Sequence, residues 1–480
     1  MRILLIALLA VAALPALADA ATVSRTRGTL RYEAAKGERV SGSITETSGG
    51  GFLVRVAKQP HPPRLVAGAG AGAGCKHSGP RELRCAGQGV VRLEISLKRA
   101  RTTSVTVQDV RVPVAARGSG GVHAMLVSGT PDFTYDGGPS RDNVNVESPD
   151  GHFTIRLGAG LDYFAGPLDT LNGSRDSTAT FAVDGGAGRD RLIGGPGVDS
   201  LEGGSGSDSL EGSGGADTLA GGPGTDTVVF THAPLPGNGA FSVTLDGQRN
   251  DGTAGQNAWV GSDVENASIL GEPQSSDDLV VGNEGPNVLV GPGTVRGLAG
   301  NDILVSDGYA GGGTTLDGGD GDDRIGALAW LPDGGFAGTP ATVTCGAGSD
   351  VVFTNAAAPA DCERANVGMH VLGARAIGRH GFVHARIDCN DPRGCVLGGL
   401  LLRLHGRRAD ARSARTPAIR IPFGASRRAS VQIEARIWKR HRRARSLRLE
   451  ITPVPQPTQI PSPALSTDSY PRTLTLRIIR

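Results

Sequence analysis

Residues 185–229 read GGAGRDRLI, GGPGVDSLE, GGSGSDSLE, GSGGADTLA and GGPGTDTVV, five nonapeptides in unbroken register. Glycine fills the first and fourth positions of all five and the second of four, Ser213 being the exception. The sixth is always aspartate (Asp190, Asp199, Asp208, Asp217, Asp226), and the eighth is Leu192, Leu201, Leu210, Leu219 or Val228. Glycines permit left-handed backbone and close approach of neighbouring carbonyls, while the last three residues suit a short strand with its apolar residue turned inward. One aliphatic side chain per nine residues is thin burial against the entropy of ordering them, and aspartates stacked at a fixed period repel one another. Bound cations are expected to offset that repulsion and to contribute folding free energy.

The nine-residue phase continues outward with declining fidelity. Upstream, GGPSRDNVN (137–145) keeps Asp142 and LGAGLDYFA (157–165) keeps Asp162. Downstream, GNEGPNVLV (282–290) has Asn287 at the sixth position, nine residues after Asp278. GLAGNDILV (297–305), GGDGDDRIG (318–326) and CGAGSDVVF (345–353) supply Asp302, Asp323 and Asp350. Residues 132–365 are therefore expected to form one interrupted solenoid, with a loop-rich insertion around Trp259 and a cap at its end.

The pattern G-G-x-G-x-D-x-U-x, five times in tandem, resembles the RTX, or haemolysin-type, calcium-binding repeat family. The resemblance implies an all-β fold with a parallel β-roll, in which two nonapeptides make one coil and repeats i and i+2 stack on one edge. Asp190 would then share an ion with Asp208, Asp199 with Asp217, and Asp208 with Asp226. The implied calcium ligands are Asp190, Asp199, Asp208, Asp217, Asp226, Asp302, Asp323 and Asp350, with the turn glycines Gly186, Gly188, Gly195, Gly197, Gly204 and Gly206. Asp263-Val264-Glu265-Asn266 and Asp277-Asp278-Leu279 also resemble segments that restart repeats in actinobacterial members of the family.

The rest of the chain frames this acidic centre. Net charge is only +2 over 480 residues, yet residues 132–353 hold 8 Lys/Arg against 32 Asp/Glu. Residues 21–131 hold 17 against 6 and residues 366–480 hold 22 against 6, so the centre attracts cations and the flanks anions. Met1-Arg2, the apolar run Ile3–Leu14 and Ala18-Asp19-Ala20 read as a secretory signal peptide, residues 1–20, which places the mature chain outside the cell. No later apolar run is long enough to span a bilayer as a helix. The six cysteines fall into three local couples, Cys75 with Cys85, Cys345 with Cys362 and Cys389 with Cys395, and are expected to pair sequentially. Short alternating runs suggest an N-terminal β domain or cap over residues 21–131 and an Arg-rich, β-sandwich-like domain over 366–480.

Known catalytic signatures are missing. None of the ten histidines is followed by glutamate, which excludes H-E-x-x-H; no serine sits in G-x-S-x-G; and none of the five lysines lies in a phosphate-binding loop. The chain also departs from RTX toxins in its N-terminal export signal and in having no long apolar pore-forming region. The function expected is that of a secreted, non-catalytic, calcium-dependent structural or adhesive module. Its partners would be calcium ions; the cluster Lys439–Arg445 reads first as a solvated hairpin tip and, as the alternative, as a site for anionic cell-wall or extracellular polysaccharide. A single aromatic, Trp438, adjoins that cluster, which argues against nucleic acid. The alternative is an extracellular polysaccharide-active enzyme on a β-helix scaffold.

Overall fold

In the computed structural model, residues 20–365 are described apart from 35, 37–38, 58–63, 68–73, 99, 168–176, 233–238, 271–276, 307–313, 328–341, 355–358 and 363. Beyond them, seven strands between Met369 and Ile478 are described by their backbone. The leading segment 1–19, most of the run Gly68–Gly74, the Lys439–Arg445 cluster and the side chains of Cys389 and Cys395 lie outside the described residues. Every regular element among the described residues is a strand. The chain divides into two units, Met1–Asp226 and Thr227–Arg480.

In the first unit, the apolar eighth position of each nonapeptide sets the register. Strand Arg191–Ile193 pairs in parallel with Ser209–Glu211, placing Leu192 beside Leu210. Ser200–Gly206 pairs with Thr218–Ala220, placing Leu201 beside Leu219. Partners are eighteen residues apart, so two nonapeptides make one coil, and alternate repeats build the two opposed sheets. All four leucines are at most 1% exposed, because each lies between its counterparts on neighbouring coils. The fold is thus an all-β parallel β-roll.

Upstream the coils widen and aromatic residues replace the leucines. Strands Asp132–Gly138, His152–Gly160 and Thr180–Gly188 continue one sheet in parallel, stacking Phe133, Phe153 and Phe181 in register. The Phe153 and Phe181 rings lie 5.0 Å apart. Opposite them, Asp142–Val146 and Tyr163–Ala165 bring Val144 and Phe164 into line with Leu192. The same parallel pairing extends through Val114–Arg117 and Arg92–Ser96 to Thr29–Glu33. At that end an antiparallel hairpin, Cys75–Gly79 with Glu82–Cys85, is closed by the Cys75–Cys85 disulfide.

The second unit repeats the design with longer insertions. One sheet runs from Thr227–Thr231 through Asn266–Leu270, Val288–Gly291, Ile303–Ser306 and Arg324–Ala327 to Val351–Thr354. The other joins Phe241–Thr244, Leu279–Val281, Thr294–Ala299, Thr315–Asp320 and Thr342–Ala347. The insertion around Trp259 is ordered by Asp251, whose Oδ1 accepts the Thr244 N–H at 2.7 Å and whose Oδ2 accepts the Val260 N–H at 2.9 Å. A Cys345–Cys362 disulfide joins the last of these coils to the segment after it. Seven further strands from Met369–Ile377 to Arg472–Ile478 form a separate, mainly antiparallel sheet.

Candidate metal centre

Stacking at one coil per rung turns the sixth-position aspartates into ladders. Along one edge of the first unit, each carboxylate Oδ1 accepts the backbone N–H of the rung before it. Asp162 accepts from Asp142 at 2.6 Å, Asp190 from Asp162 at 2.7 Å, Asp208 from Asp190 at 2.8 Å and Asp226 from Asp208 at 2.7 Å. On the opposite edge, Asp199 accepts from Phe181 at 2.8 Å and Asp217 from Asp199 at 2.9 Å. The second unit has its own ladder, in which Asp302 accepts from Asn287, Asp323 from Asp302 and Asp350 from Asp323, each at 2.8 Å. All eight aspartates singled out by the repeat are at most 2% exposed.

Burial penalises these charges. It is the largest cause of each shift, pushing Asp190 up to about 6, Asp199 to about 7 and Asp217 to about 9, and raising Asp208 as well. In the second unit it pushes Asp302 up to about 7 and Asp323 to about 6. Backbone N–H donors oppose the rise, and the neighbouring rung adds to it in Asp190, Asp217, Asp302 and Asp323. Among the described residues, no Lys or Arg is a leading cause that offsets these shifts. Asp190, Asp208, Asp302 and Asp323 each bury an Oδ2 with no hydrogen-bond partner. Such an atom calls for an explanation, and a cation is one that its chemistry accepts.

The glycines explain how a cation's other ligands approach. A Cβ on Gly203 would lie 2.7 Å from the Gly221 carbonyl oxygen and 2.8 Å from Asp208 Oδ2. On Gly185 the same atom would meet the Gly203 oxygen at 2.6 Å and Asp190 Oδ2 at 2.9 Å. Carboxylate and carbonyl oxygens therefore converge where the first residue of each repeat has no side chain. Gly186 and Gly188 pair in register with Gly204 and Gly206, and Gly195 donates its N–H to Asp199 Oδ2 at 2.6 Å. A side chain on Gly197 would come within 2.0 Å of the Ala179 oxygen. Among the described residues no three His, Cys, Asp or Glu side chains converge on one point, so main-chain carbonyls would have to complete an ion's shell. A donor set of carboxylate and peptide oxygens is hard and flexible, and it fits Ca2+ better than a nitrogen- or sulfur-seeking metal.

Several rungs are not carboxylates available to an ion. The upstream ladder ends at His123, which pairs in register with Asp142 and with Thr103; its Nδ1 lies 2.8 Å from Thr103 Oγ1. Asn287 takes its place as a neutral rung by donating Nδ2–H to the Glu265 carbonyl at 2.7 Å. Asp278 is occupied on both sides: Oδ1 accepts the Phe241 N–H at 2.7 Å and Oδ2 lies 2.9 Å from His232 Nε2. Nothing in the nonapeptide pattern marks His123 or His232, because each reaches its ladder through coil register and not through sequence phase.

A parallel β-roll with buried aspartate ladders and glycine-cornered turns defines a cation-binding repeat protein. Residues 183–210 and 193–228 match the model of the RTX calcium-binding nonapeptide repeat, in four copies. The chain carries RTX repeats, and repeats of this family bind Ca2+. No curated protein matches the chain.

Proposed function

We propose that this is a secreted, non-catalytic module whose nonapeptide coils order on binding calcium and which serves as an extracellular structural or adhesive element. The observation that carries this reading is the set of buried carboxylates of Asp190, Asp208, Asp302 and Asp323, whose Oδ2 atoms lie at glycine corners without a hydrogen-bond donor. In this reading Asp190, Asp199, Asp208, Asp217, Asp226, Asp302, Asp323 and Asp350 hold the ions. Peptide oxygens of the glycine turns complete the shells. A bound dication neutralises stacked carboxylates and ties each coil to the next. The chain's own contribution is to hold the oxygens in register and keep water from the inner edge. The basic flanks, 17 Lys/Arg against 6 Asp/Glu in residues 21–131 and 22 against 6 in residues 366–480, suit an anionic wall or matrix polysaccharide as the surface on which the module is retained.

A non-catalytic role is favoured by the seclusion of the His–Asp pair that, among the described residues, resembles acid–base machinery, since the His232 and Asp278 side chains are 1% and 0% exposed. Calorimetric titration of the full chain with Ca2+ in near-physiological salt, followed by circular dichroism, tests the reading. Heat of binding and a gain of β signal are expected. Absence of both overturns it, and release of reducing or unsaturated ends from acidic glycans would replace it with the enzyme reading.

A further inference from the structure

The glycine-and-carboxylate corner recurs outside residues 183–228. A Cβ on Gly297 would lie 2.3 Å from Asp302 Oδ2 and 2.3 Å from the Gly318 carbonyl oxygen. On Gly318 it would lie 2.4 Å from Asp323 Oδ2 and 2.4 Å from the carbonyl oxygen of Cys345. Asp302 and Asp323 are both 0% exposed, and neither Oδ2 has a hydrogen-bond partner. The convergence of oxygens is the one found at Gly185 and Gly203, with one difference. The last peptide oxygen belongs to a disulfide-bonded cysteine.

Cys345 stands at the first position of CGAGSDVVF, where the other strong repeats have glycine. In earlier coils the first-position N–H donates to a carbonyl of the following coil, as Gly282 does to Arg296 at 2.9 Å. Cys345 instead donates to Asp361 Oδ2 at 2.8 Å, and Gly346 donates to the same oxygen at 3.4 Å. Cys362, the next residue, is the disulfide partner. Asp361 and Cys362 thus hold the Cys345 peptide from its N–H side and through its side chain, fixing where its carbonyl oxygen faces Asp323. Fixing the orientation of a metal ligand from behind is the usual way a protein sets affinity at a site.

We propose that Asp323 Oδ2 and the Cys345 carbonyl oxygen belong to a divalent-cation site whose affinity depends on the Cys345–Cys362 disulfide. The site is of the hard, oxygen-only kind that takes Ca2+, and Asp361 and Cys362 are its positioning residues. The inference rests on the calcium reading above and couples one site of the second unit to the oxidation state of the chain. Oxidised protein holds the terminal ion, and protein with an open disulfide holds it more weakly, while the sites at Asp190–Asp226 are unaffected.

The test is calcium titration of the full chain by calorimetry in four forms: unaltered, Cys345→Ser/Cys362→Ser, Asp323→Asn, and the triple combination. Asp199→Asn serves as a control in the first unit. The serine pair is expected to weaken one class of site by about tenfold, the low end for loss of a supporting shell. In the Asp323→Asn background, opening the disulfide should have no further effect on the isotherm, because the site is already lost. Asp361→Asn, which keeps the disulfide but weakens the N–H clamp, should reproduce part of the loss if the serine pair does not fold. The proposal is overturned if opening the disulfide leaves calcium binding unchanged, or weakens it equally with and without Asp323. Absence of any calcium binding in the unaltered chain would instead overturn the calcium reading itself.

Discussion

Asp208 is held between two like residues: its Oδ1 accepts the Asp190 N–H at 2.8 Å, and its own N–H donates to Asp226 Oδ1 at 2.7 Å. Two buried carboxylates are thereby stacked on either side of a third, at a spacing that only a ladder of coils produces. Ions lying between successive rungs would use an interior carboxylate twice and a terminal one once. Asp208→Ala should therefore lower the number of calcium ions bound per chain more than Asp350→Ala, whose rung ends the ladder of the second unit among the described residues. Calorimetric stoichiometry separates the two, and equal losses would contradict ion sharing between repeats i and i+2.

Gly204 has a φ of +96°, and a Cβ there would lie 2.0 Å from the Gly186 carbonyl oxygen. Gly204→Ala meets both a backbone conformation that alanine resists and a main-chain atom that cannot move without shifting a coil. A loss of about 2–4 kcal/mol is expected, in the range of strained or overpacked sites. Gly49→Ala is the comparison, because a Cβ at Gly49 would have nothing within 4 Å. Its effect should stay within about 0.5 kcal/mol. Urea unfolding of the calcium-loaded chain measures both, and similar midpoints for the two variants would show that the turns tolerate side chains.

The strict repeat made the centre of the fold readable. Position six gave Asp190 to Asp226 and position eight the inward leucines, and even the degenerate copies put Asp142, Asp162, Asp302, Asp323 and Asp350 in phase. Legibility failed where coil length changes. Asp142 to Asp162 spans twenty residues and Asp162 to Asp190 twenty-eight, so the next rung cannot be counted from the last without the structure. His123, His232 and Asp361 act on the ladders across such gaps or from beyond their ends, and no local pattern distinguishes them from surface residues. The flanking strands were visible as alternating runs such as Val105–Val114, but alternation does not say which strand pairs with which. That Val114–Arg117 stacks in parallel on Asp132–Gly138 follows from coil closure, a non-local property.

Burial that lifts Asp199 to about 7 and Asp217 to about 9 makes calcium binding a proton-coupled event. A carboxyl whose folded pKa is raised favours the folded state while protonated. That stability is complete below the ordinary aspartate value near 3.8 and is lost as pH rises through about 7 and then 9. A dication needs both groups ionised, so binding must expel the protons they hold. At pH 7 this pair should release on the order of one proton as calcium binds, and affinity should fall as the pH is lowered toward 5. Titrations in buffers of different ionisation enthalpy count the protons, and heats independent of buffer would show that the pair is already ionised. Chelator-treated protein should correspondingly keep more β signal at pH 5 than at pH 8.

His232 satisfies a ladder aspartate without an ion. Its Nε2 lies 2.9 Å from Asp278 Oδ2, its ring meets Phe241 edge-on at 4.7 Å, and Asp278 Oδ1 is taken by the Phe241 N–H. His232→Ala strips the imidazole from a carboxylate that has no route to water. Removing one partner of a buried pair costs about 3–5 kcal/mol, so the midpoint of unfolding should fall sharply even in saturating calcium. The number of calcium ions bound should stay the same, since both Asp278 oxygens were engaged before the change. His232→Gln, which returns an N–H donor to the cavity, should recover part of the loss. A His232→Ala protein that unfolds like the unaltered chain but binds one more calcium ion would mean that the imidazole merely occupies a place an ion fills equally well.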